Sequence, residues 1–234
     1  MKNLILASTS TTYGGNYLDY LLPHLDEHFK KIETILFIPF ARPGGMTHDD
    51  YTSRVQDTFN LIDIEVKGLH EYDNAQKAIK NAQGIFTGGG NTFLLVSMLY
   101  KLELMPVLRE MLYAGTPYLG TSAGSNIGGV TMQNTNDMPI IYPPSFKTLG
   151  AVPFNINAHY IDPDEGSTHM GETRETRIRE FHHFNTIPVV GLREGSWIEV
   201  NGPTSQLKGE LTARIFEAGK KPWELEPEEF IDFS

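Results

Sequence analysis

Through the first half of the chain, short apolar runs alternate with longer amphipathic stretches, and few architectures accept that rhythm. The runs cover 3–7, 34–38, 62–66, 84–87 and 117–120, and each reads as a strand. Between them lie 17–29, 51–61, 75–81 and 92–114, which read as helices. Gly115 closes the last as a C-cap, and Pro106 is expected to break it in two. Such alternation predicts parallel strands joined by right-handed helical crossovers, with helices on both faces of the sheet. The expected fold is therefore α/β, a three-layer α/β/α sandwich with a mostly parallel sheet. A chain of 234 residues can bury roughly 70% of its unfolded surface, so it needs no disulfide or metal staple.

The second half changes character. Residues 134–150 are loop-rich, with Pro139, Pro143 and Pro144. A strand-like run covers 152–157, a helix is expected at 173–184, and strand-like runs follow at 189–192, 197–200 and 214–216. The last three look antiparallel, separated by short turns at Asn201-Gly202 and Gly209. From Pro222 onward the tail carries Glu224, Glu226, Glu228, Glu229 and Asp232, and reads as a solvated or loosely docked end. No internal repeat or linker interrupts the pattern, so 1–234 reads as one domain.

Charge narrows the partners. Nineteen Lys and Arg against 29 Asp and Glu give a net charge of −10, which repels phosphate backbones and anionic membrane surfaces. The densest basic stretch, Arg174 to Arg179, is interleaved with Glu175 and ends at Glu180. Nucleic acid and membrane are therefore not expected partners, and an acidic substrate would need a local cation. The chain has no cysteine, which removes disulfides, thiolate metal sites and every cysteine nucleophile. The opening apolar run is too short for a signal peptide, and no stretch reaches the ~20 apolar residues of a membrane span. A soluble cytoplasmic protein is expected.

Gly120-Thr121-Ser122-Ala123-Gly124 is the sharpest local signal, a Gly-x-Ser-x-Gly elbow directly after an apolar strand. A serine on so tight a strand-to-helix turn sits in strained backbone, and small residues two before and two after avoid clashes. Its hydroxyl then stands at the carboxyl edge of the sheet, with the N–H of Ala123 free for an oxyanion. A small-residue βα turn that merely packs closely would carry the same pattern. Thr87-Gly88-Gly89-Gly90-Asn91-Thr92 also follows a strand, but lacks the spacing of a phosphate-binding loop. It is better suited to a second oxyanion donor from Gly89 or Gly90, although plain turn chemistry is the favoured explanation of the loop taken alone.

An activated serine needs a base. His24 and His28 fall on a helix face, His48 and His70 in loops, His182 and His183 near a helix end, and His169 in a Gly/Ser/Thr loop. His159 follows a strand-like run and so sits near the catalytic edge, which makes it the leading base. Glu194, flanked by Gly191 and Gly195 after an apolar strand, is the leading acid to orient it, with Asp137, Asp162 and Asp164 as competitors. The order Ser122, His159, Glu194 differs from that of the α/β-hydrolases. Metal readings are poor: His48-Asp49-Asp50, His169–Glu172 and His182-His183 all lack ligand spacing. No metal and no cofactor is expected.

With these residues placed, the sequence resembles the peptidase E (α-aspartyl dipeptidase) family of serine peptidases, from Asn3 to about Gly219. The likeness rests on 37–41, 88–93, 120–124, 135–140, 171–175 and 191–197, six blocks in the right order. The resemblance implies a fold similar to class I glutamine amidotransferases, with serine in place of their cysteine, and release of N-terminal aspartate from dipeptides such as Asp-Leu. It implies Ser122 as nucleophile, His159 as base and Glu194 as third triad member. Asp137 matches an aspartate also tied to activity, and Arg174 matches the arginine expected to hold the aspartyl carboxylate. An Arg fork can grip a carboxylate bidentately; a solvated surface cation is the competing reading.

Two positions depart from the family, Ala158 and Arg193, where proline is common. Arg193 is expected to change the charge of the cleft rim. Asp137 or Glu172 is expected to recognise the substrate α-amine, and Asn91 to join the substrate contacts. The expected partners are small peptides with N-terminal Asp, and the chain a monomer or small homo-oligomer. The competing readings are a cyanophycinase-like or isoaspartyl serine hydrolase, or a non-catalytic small-amino-acid sensor on the same fold.

Overall fold

The computed structural model describes residues 1–163, 166, 168 and 171–233. In chain order the strands are β1 (Asn3–Ala7), β2 (Thr34–Ile38), β3 (Glu65–Gly68), β4 (Gly84–Thr87), β5 (Tyr118–Thr121) and β6 (Asn155–Ala158). They continue with β7 (Val189–Leu192), β8 (Trp197–Asn201), β9 (Thr204–Lys208), β10 (Ala213–Phe216) and β11 (Trp223–Leu225). The helices are α1 (Leu22–Phe29), α2 (His48–Phe59), α3 (Ala75–Lys80), α4 (Thr92–Lys101), α5 (Met105–Ala114), α6 (Ala123–Asn126) and α7 (Arg174–Phe181).

The larger sheet has the order β3-β2-β4-β5-β1-β8-β9. Its first five strands are mutually parallel, with Leu4 opposite Tyr118 and Ala7 opposite Thr121 at the centre. β8 and β9 add an antiparallel edge. Because side chains alternate across a strand, β1 buries Ile5 and Ala7 with α1 and α2 on one face. It buries Leu4 and Leu6 with α4 and α5 on the other. The second sheet, β11-β10-β7-β6, shares that second core through Ile156, Val190 and Ile215. Helix α7 covers its outer side with Ile178 against Tyr160, Val189 and Phe216. The mostly parallel α/β arrangement is the one the sequence rhythm predicts.

Local chemistry sets the element ends. Thr47 and Asp50 form a capping box at the start of α2, and the Asn91 side chain accepts from the Leu94 N–H at the start of α4. Gly115, at φ +105°, ends α5. The break between α4 and α5 falls at 102–104, ahead of Pro106 rather than at it. Proline lies in the first turn of α5, where its missing N–H has no partner to lose. The third strand also lies later than expected, because residues 60–62 form a 3-10 turn ending at Asp63 with φ +55°. At the first helix, Leu18 takes φ +61° and the regular turn begins only at Leu22.

The C-terminal third corrects the sequence reading. The run 197–200 does not join 189–192 and 214–216 in a three-stranded antiparallel unit. It crosses to the large sheet beside β1, while β7 and β10 stay together in the small one. Nor is the tail loosely docked. β11 pairs with β10, Leu225 is buried, Ile231 and Phe233 pack on the core, and backbone bonds tie 228–231 to β9. Several of its acidic side chains have partners as well. Glu224 accepts from both Arg193 and Arg214, and Arg193 also grips Asp162 through two bonds of 2.8 and 2.6 Å. Among the described residues no helix is long and apolar enough to cross a membrane.

Burial pushes the Glu224 carboxyl up, but its bonds from Arg193, Thr212 and Arg214 overcome that and hold it at about 2. A carboxyl held low in the fold stabilises it above the ordinary carboxylate range, and that contribution fades as pH falls toward 2. Glu224→Gln should lower Tm at neutral pH by about 2–4 °C, as a loss of about 1 kcal/mol does in a chain of this size. The gap between wild type and variant should close on acidification; thermal scans from neutral to strongly acid pH check it.

Candidate active site

The carboxyl ends of β4, β5 and β1, neighbours in the large sheet, and of β6 and β7 in the small one converge on one edge. Open α/β sheets bind ligands outside such strand ends. Ser122 follows β5 and opens α6 with φ +52° and ψ −110°, a region that costs a non-glycine residue about 1–3 kcal/mol. Its backbone N–H is fixed to Ala7 O at 3.0 Å. The glycines of the elbow are needed for approach. A Cβ on Gly124 would lie 2.1 Å from Thr87 O, and one on Gly120 would lie 2.5 Å from Gly124 O.

His159 follows β6, also in left-handed backbone at φ +56°. Its Nε2 lies 2.9 Å from Ser122 Oγ, and its Nδ1 lies 2.6 Å from Glu194 Oε1. Glu194 comes from the turn after β7. The three side chains named from the sequence thus form one hydrogen-bonded line. Chemically, the line can draw a proton from the hydroxyl to the imidazole while the carboxylate fixes the tautomer with N–H at Nδ1. The hydroxyl end is half-enclosed and the carboxylate end opens to solvent, with Glu194 about half exposed.

Gly89 packs directly on the nucleophile: a Cβ there would come within 3.1 Å of Ser122 Cβ. Gly90, at φ +146°, faces Ala41 O instead. Among the described residues, the N–H groups of Gly89, Gly90 and Ala123 make no hydrogen bond. Asn91 spends both ends of its amide on the scaffold, accepting from Leu94 N at 3.0 Å and donating to Met138 O at 2.8 Å.

The other carboxylates separate. Asp137 does not reach His159; its Oδ2 accepts from Thr92 N at 2.7 Å and from Thr135 Oγ1 at 2.9 Å, at the N-terminus of α4. Asp162 belongs to Arg193. Glu172 is exposed, 3.8 Å from Arg177 Nε. Asp164 and His169 lie outside the described residues. Arg193 does not add free charge to the cleft rim, since its side chain is only 15% exposed and its guanidinium is spent on Asp162, Thr212 and Glu224.

Arg174 contrasts with it. It begins α7, is partly buried, and its Nη1 is buried with no partner among the described residues. Burial pulls its pKa below the ordinary value, and the charge of Glu194 opposes that pull. The remaining histidines are elsewhere: His48 opens α2 rather than lying in a loop, and buried His28 is pushed down to about 4 by desolvation. Among the described residues no three His, Asp or Glu side chains are placed to hold a metal ion.

Sequence reasoning missed a polar lattice behind the site. Asn155 donates to Thr131 Oγ1 and Asn134 Oδ1, Asn157 to Asn134 O and Asn136 Oδ1, and Asn126 to Thr92 Oγ1 and Thr135 Oγ1. These bonds fasten loop 131–137 to β6 and α6. The available signal was asparagine at 155 and 157 inside an otherwise apolar strand, since buried amides persist only when paired.

Gly124→Ala should lower stability by about 1–3 kcal/mol, because the added methyl meets the backbone of β4 rather than a movable side chain. It should also slow any reaction of Ser122 by about 100-fold as the elbow shifts. Thermal unfolding and the rate of covalent labelling of Ser122 check the two effects.

The profile of Peptidase family S51 matches residues 4–208. A protein named Peptidase E from Streptomyces coelicolor is 46% identical over 223 residues, covering 95% of this chain and 90% of its own length. A protein named "Probable alpha-aspartyl dipeptidase" from Drosophila melanogaster is 44% identical over 229 residues, covering 97% of this chain and 94% of its own. A solved peptidase from an acI-B1 Actinobacterium superposes with a TM-score of 0.75 at 17% identity, covering 100% of this chain and 97% of that one. At that identity it speaks for the fold alone. A profile match over most of the sequence, with relatives this similar along nearly its whole length, makes the chain a member of Peptidase family S51.

Proposed function

We propose that the chain is a serine dipeptidase that releases N-terminal aspartate from Asp-Xaa dipeptides. The observation that carries this reading is the continuous line from Ser122 Oγ through His159 to Glu194, at 2.9 and 2.6 Å. Ser122 Oγ attacks the peptide carbonyl while His159 Nε2 takes its proton. The tetrahedral intermediate collapses as Nε2 returns that proton to the leaving amine, giving an aspartyl ester on Ser122. Water then repeats the sequence to free aspartate. Glu194 holds the Nδ1 proton throughout and steadies the imidazolium.

The oxyanion is assigned to the N–H groups of Ala123 and Gly89, both next to the nucleophile and both free of other acceptors; one such donor is worth about 10²–10³ in rate. Gly90, turned toward Ala41, is the less suitable donor. Arg174 supplies the local cation that a chain of net charge −10 otherwise lacks. Its buried Nη1, unpartnered among the described residues, supports the role, because a desolvated guanidinium nitrogen without an acceptor is costly. For the α-amine, Asp137 is the better choice than Glu172. Its Oδ2 is spent on Thr92 and Thr135 while Oδ1 stays available, whereas Glu172 lies exposed beside Arg177. Asn91 acts through the loop it braces. No step calls for a cofactor, and a cysteine-free chain suits the cytoplasm.

Release of aspartate should be followed from Asp-Leu beside Glu-Leu, Leu-Leu, β-Asp-Leu and N-acetyl-Asp-Leu. Asp-Leu alone should be cleaved, with Ser122→Ala slower by about 10⁶. Arg174→Met should reduce kcat/KM for Asp-Leu by at least about 100-fold, the loss of a charge-assisted bidentate contact. Its fluorophosphonate labelling should be nearly unchanged. Cleavage of β-Asp-Leu would move the enzyme to isoaspartyl substrates, and cleavage by Ser122→Ala would end the mechanism.

A further inference from the structure

One short segment touches the backbone of Ser122, of His159 and of the two residues that bracket the Glu194 turn. At the end of β1, Ala7 O accepts from Ser122 N–H at 3.0 Å and from Ser125 Oγ at 2.6 Å. The next residue, Ser8, is fully buried. Its hydroxyl accepts from His159 N–H at 2.8 Å and donates to Leu192 O at 2.7 Å, while its own N–H donates to Ser196 O at 3.1 Å. Leu192 and Ser196 bracket the turn that carries Glu194, and Tyr160 N–H closes the same corner on Leu192 O at 3.0 Å.

We propose that Ser8 is a positioning residue of the hydrolytic machinery, holding His159 and the Glu194 turn in register with Ser122 across the seam between the two sheets. The proposal rests on the serine–histidine–glutamate reading above. A hydroxyl suits the task because it can donate and accept at once, and here each capacity goes to a different strand end. His159 is held at φ +56°, and such backbone persists only where its surroundings over-determine it. Without the hydroxyl, the His159 N–H is buried unpaired and Leu192 O loses a donor. The backbone then relaxes and the imidazole leaves the line. Ser8 itself need not touch substrate.

The test compares fluorophosphonate labelling of Ser122, followed by intact mass over hours, in wild type, Ser8→Ala, His159→Ala and the double variant. Labelling does not depend on which peptide is the substrate. Ser8→Ala should label about 10–100-fold more slowly than wild type, the scale of a misplacement of about 1 Å. In the His159→Ala background, adding Ser8→Ala should change the residual rate by less than about twofold, because the group it positions is gone. KM for Asp-Leu should stay within about twofold of wild type while kcat falls.

If Ser8→Ala does not fold, Ser8→Cys, with its weak donor and acceptor, should give the same pattern at smaller amplitude. A wild type that is not labelled, or a His159→Ala variant labelled as fast as wild type, would defeat the triad reading and this inference with it. If those controls behave but the Ser8 variant labels at the wild-type rate, only the inference falls. It falls equally if Ser8→Ala slows the His159→Ala background by the same factor as wild type, which would mark a general loss of packing.

Discussion

The geometry depends on a seam. Serine comes from the large parallel sheet, whereas histidine and glutamate come from the ends of two strands in a separate small sheet. Two sheets packed through aliphatic side chains can slide by fractions of an ångström at little cost, since apolar contact is non-directional. A hydrogen-bonded line of 2.9 and 2.6 Å tolerates no such slide. Directional bonds therefore have to cross the seam, and they do so at its polar end: Ala7 and Ser8 on one flank, the asparagine lattice of Asn126, Asn134, Asn136, Asn155 and Asn157 on the other. Each buried bond adds only about 0.5–1.5 kcal/mol net, but leaving its partners unpaired costs about 1–3. That asymmetry opposes displacement. It also holds Ser122 and His159 in backbone that neither would choose in isolation.

Electrostatics follows the same economy. Arg179 is paired with Glu175, Arg193 with Asp162 and Glu224, and Arg214 with Glu175 and Glu224. These pairs join α7, β10, β11 and the turn after β7 into one neutralised brace behind the cleft. Arg174, one turn from Arg177 and on the same helix as Arg179, keeps a buried nitrogen unpaired among the described residues. In a chain of net charge −10, long-range attraction for an acidic peptide is absent, so selection for one has to come from a short-range contact of this kind.

Legibility followed contact range. Strands β1, β2 and β4 coincide with their apolar runs, because a parallel strand buried on both faces is written as an uninterrupted apolar word. Ser122, His159 and Glu194 were legible because each follows such a word at the edge where chemistry gathers. In the C-terminal third the elements were legible but their pairing was not. Val189–Leu192 and Trp197–Asn201 are separated by four residues yet enter different sheets, and nothing in either run encodes its partner. The tail misled for a related reason. Its glutamates suggested solvent, whereas Glu224 is matched by arginines ten and 31 positions earlier. Ser8 passed unnoticed because one hydroxyl after an apolar strand has many ordinary explanations, and its partners lie 151 and 184 positions away.

The two carboxylates near the site show how environment divides work between similar groups. Asp137 was a competitor for the place of Glu194, and sequence spacing could not separate them. In the fold, Asp137 meets a helix N-terminus and a hydroxyl, donors that hold the group still. Glu194 meets an imidazole and is otherwise about half solvated, so its charge can answer a change on the ring without a rearrangement of protein around it. A carboxylate anchored to the scaffold suits a fixed cation such as an ammonium group. One that faces a titrating ring suits a transient imidazolium. The wider surroundings follow that division: Asp137 is wired into the lattice that fixes its loop, and Glu194 sits on a turn pinned by its neighbours, Arg193 on Asp162 and Glu224 and Ser196 on Leu211 O.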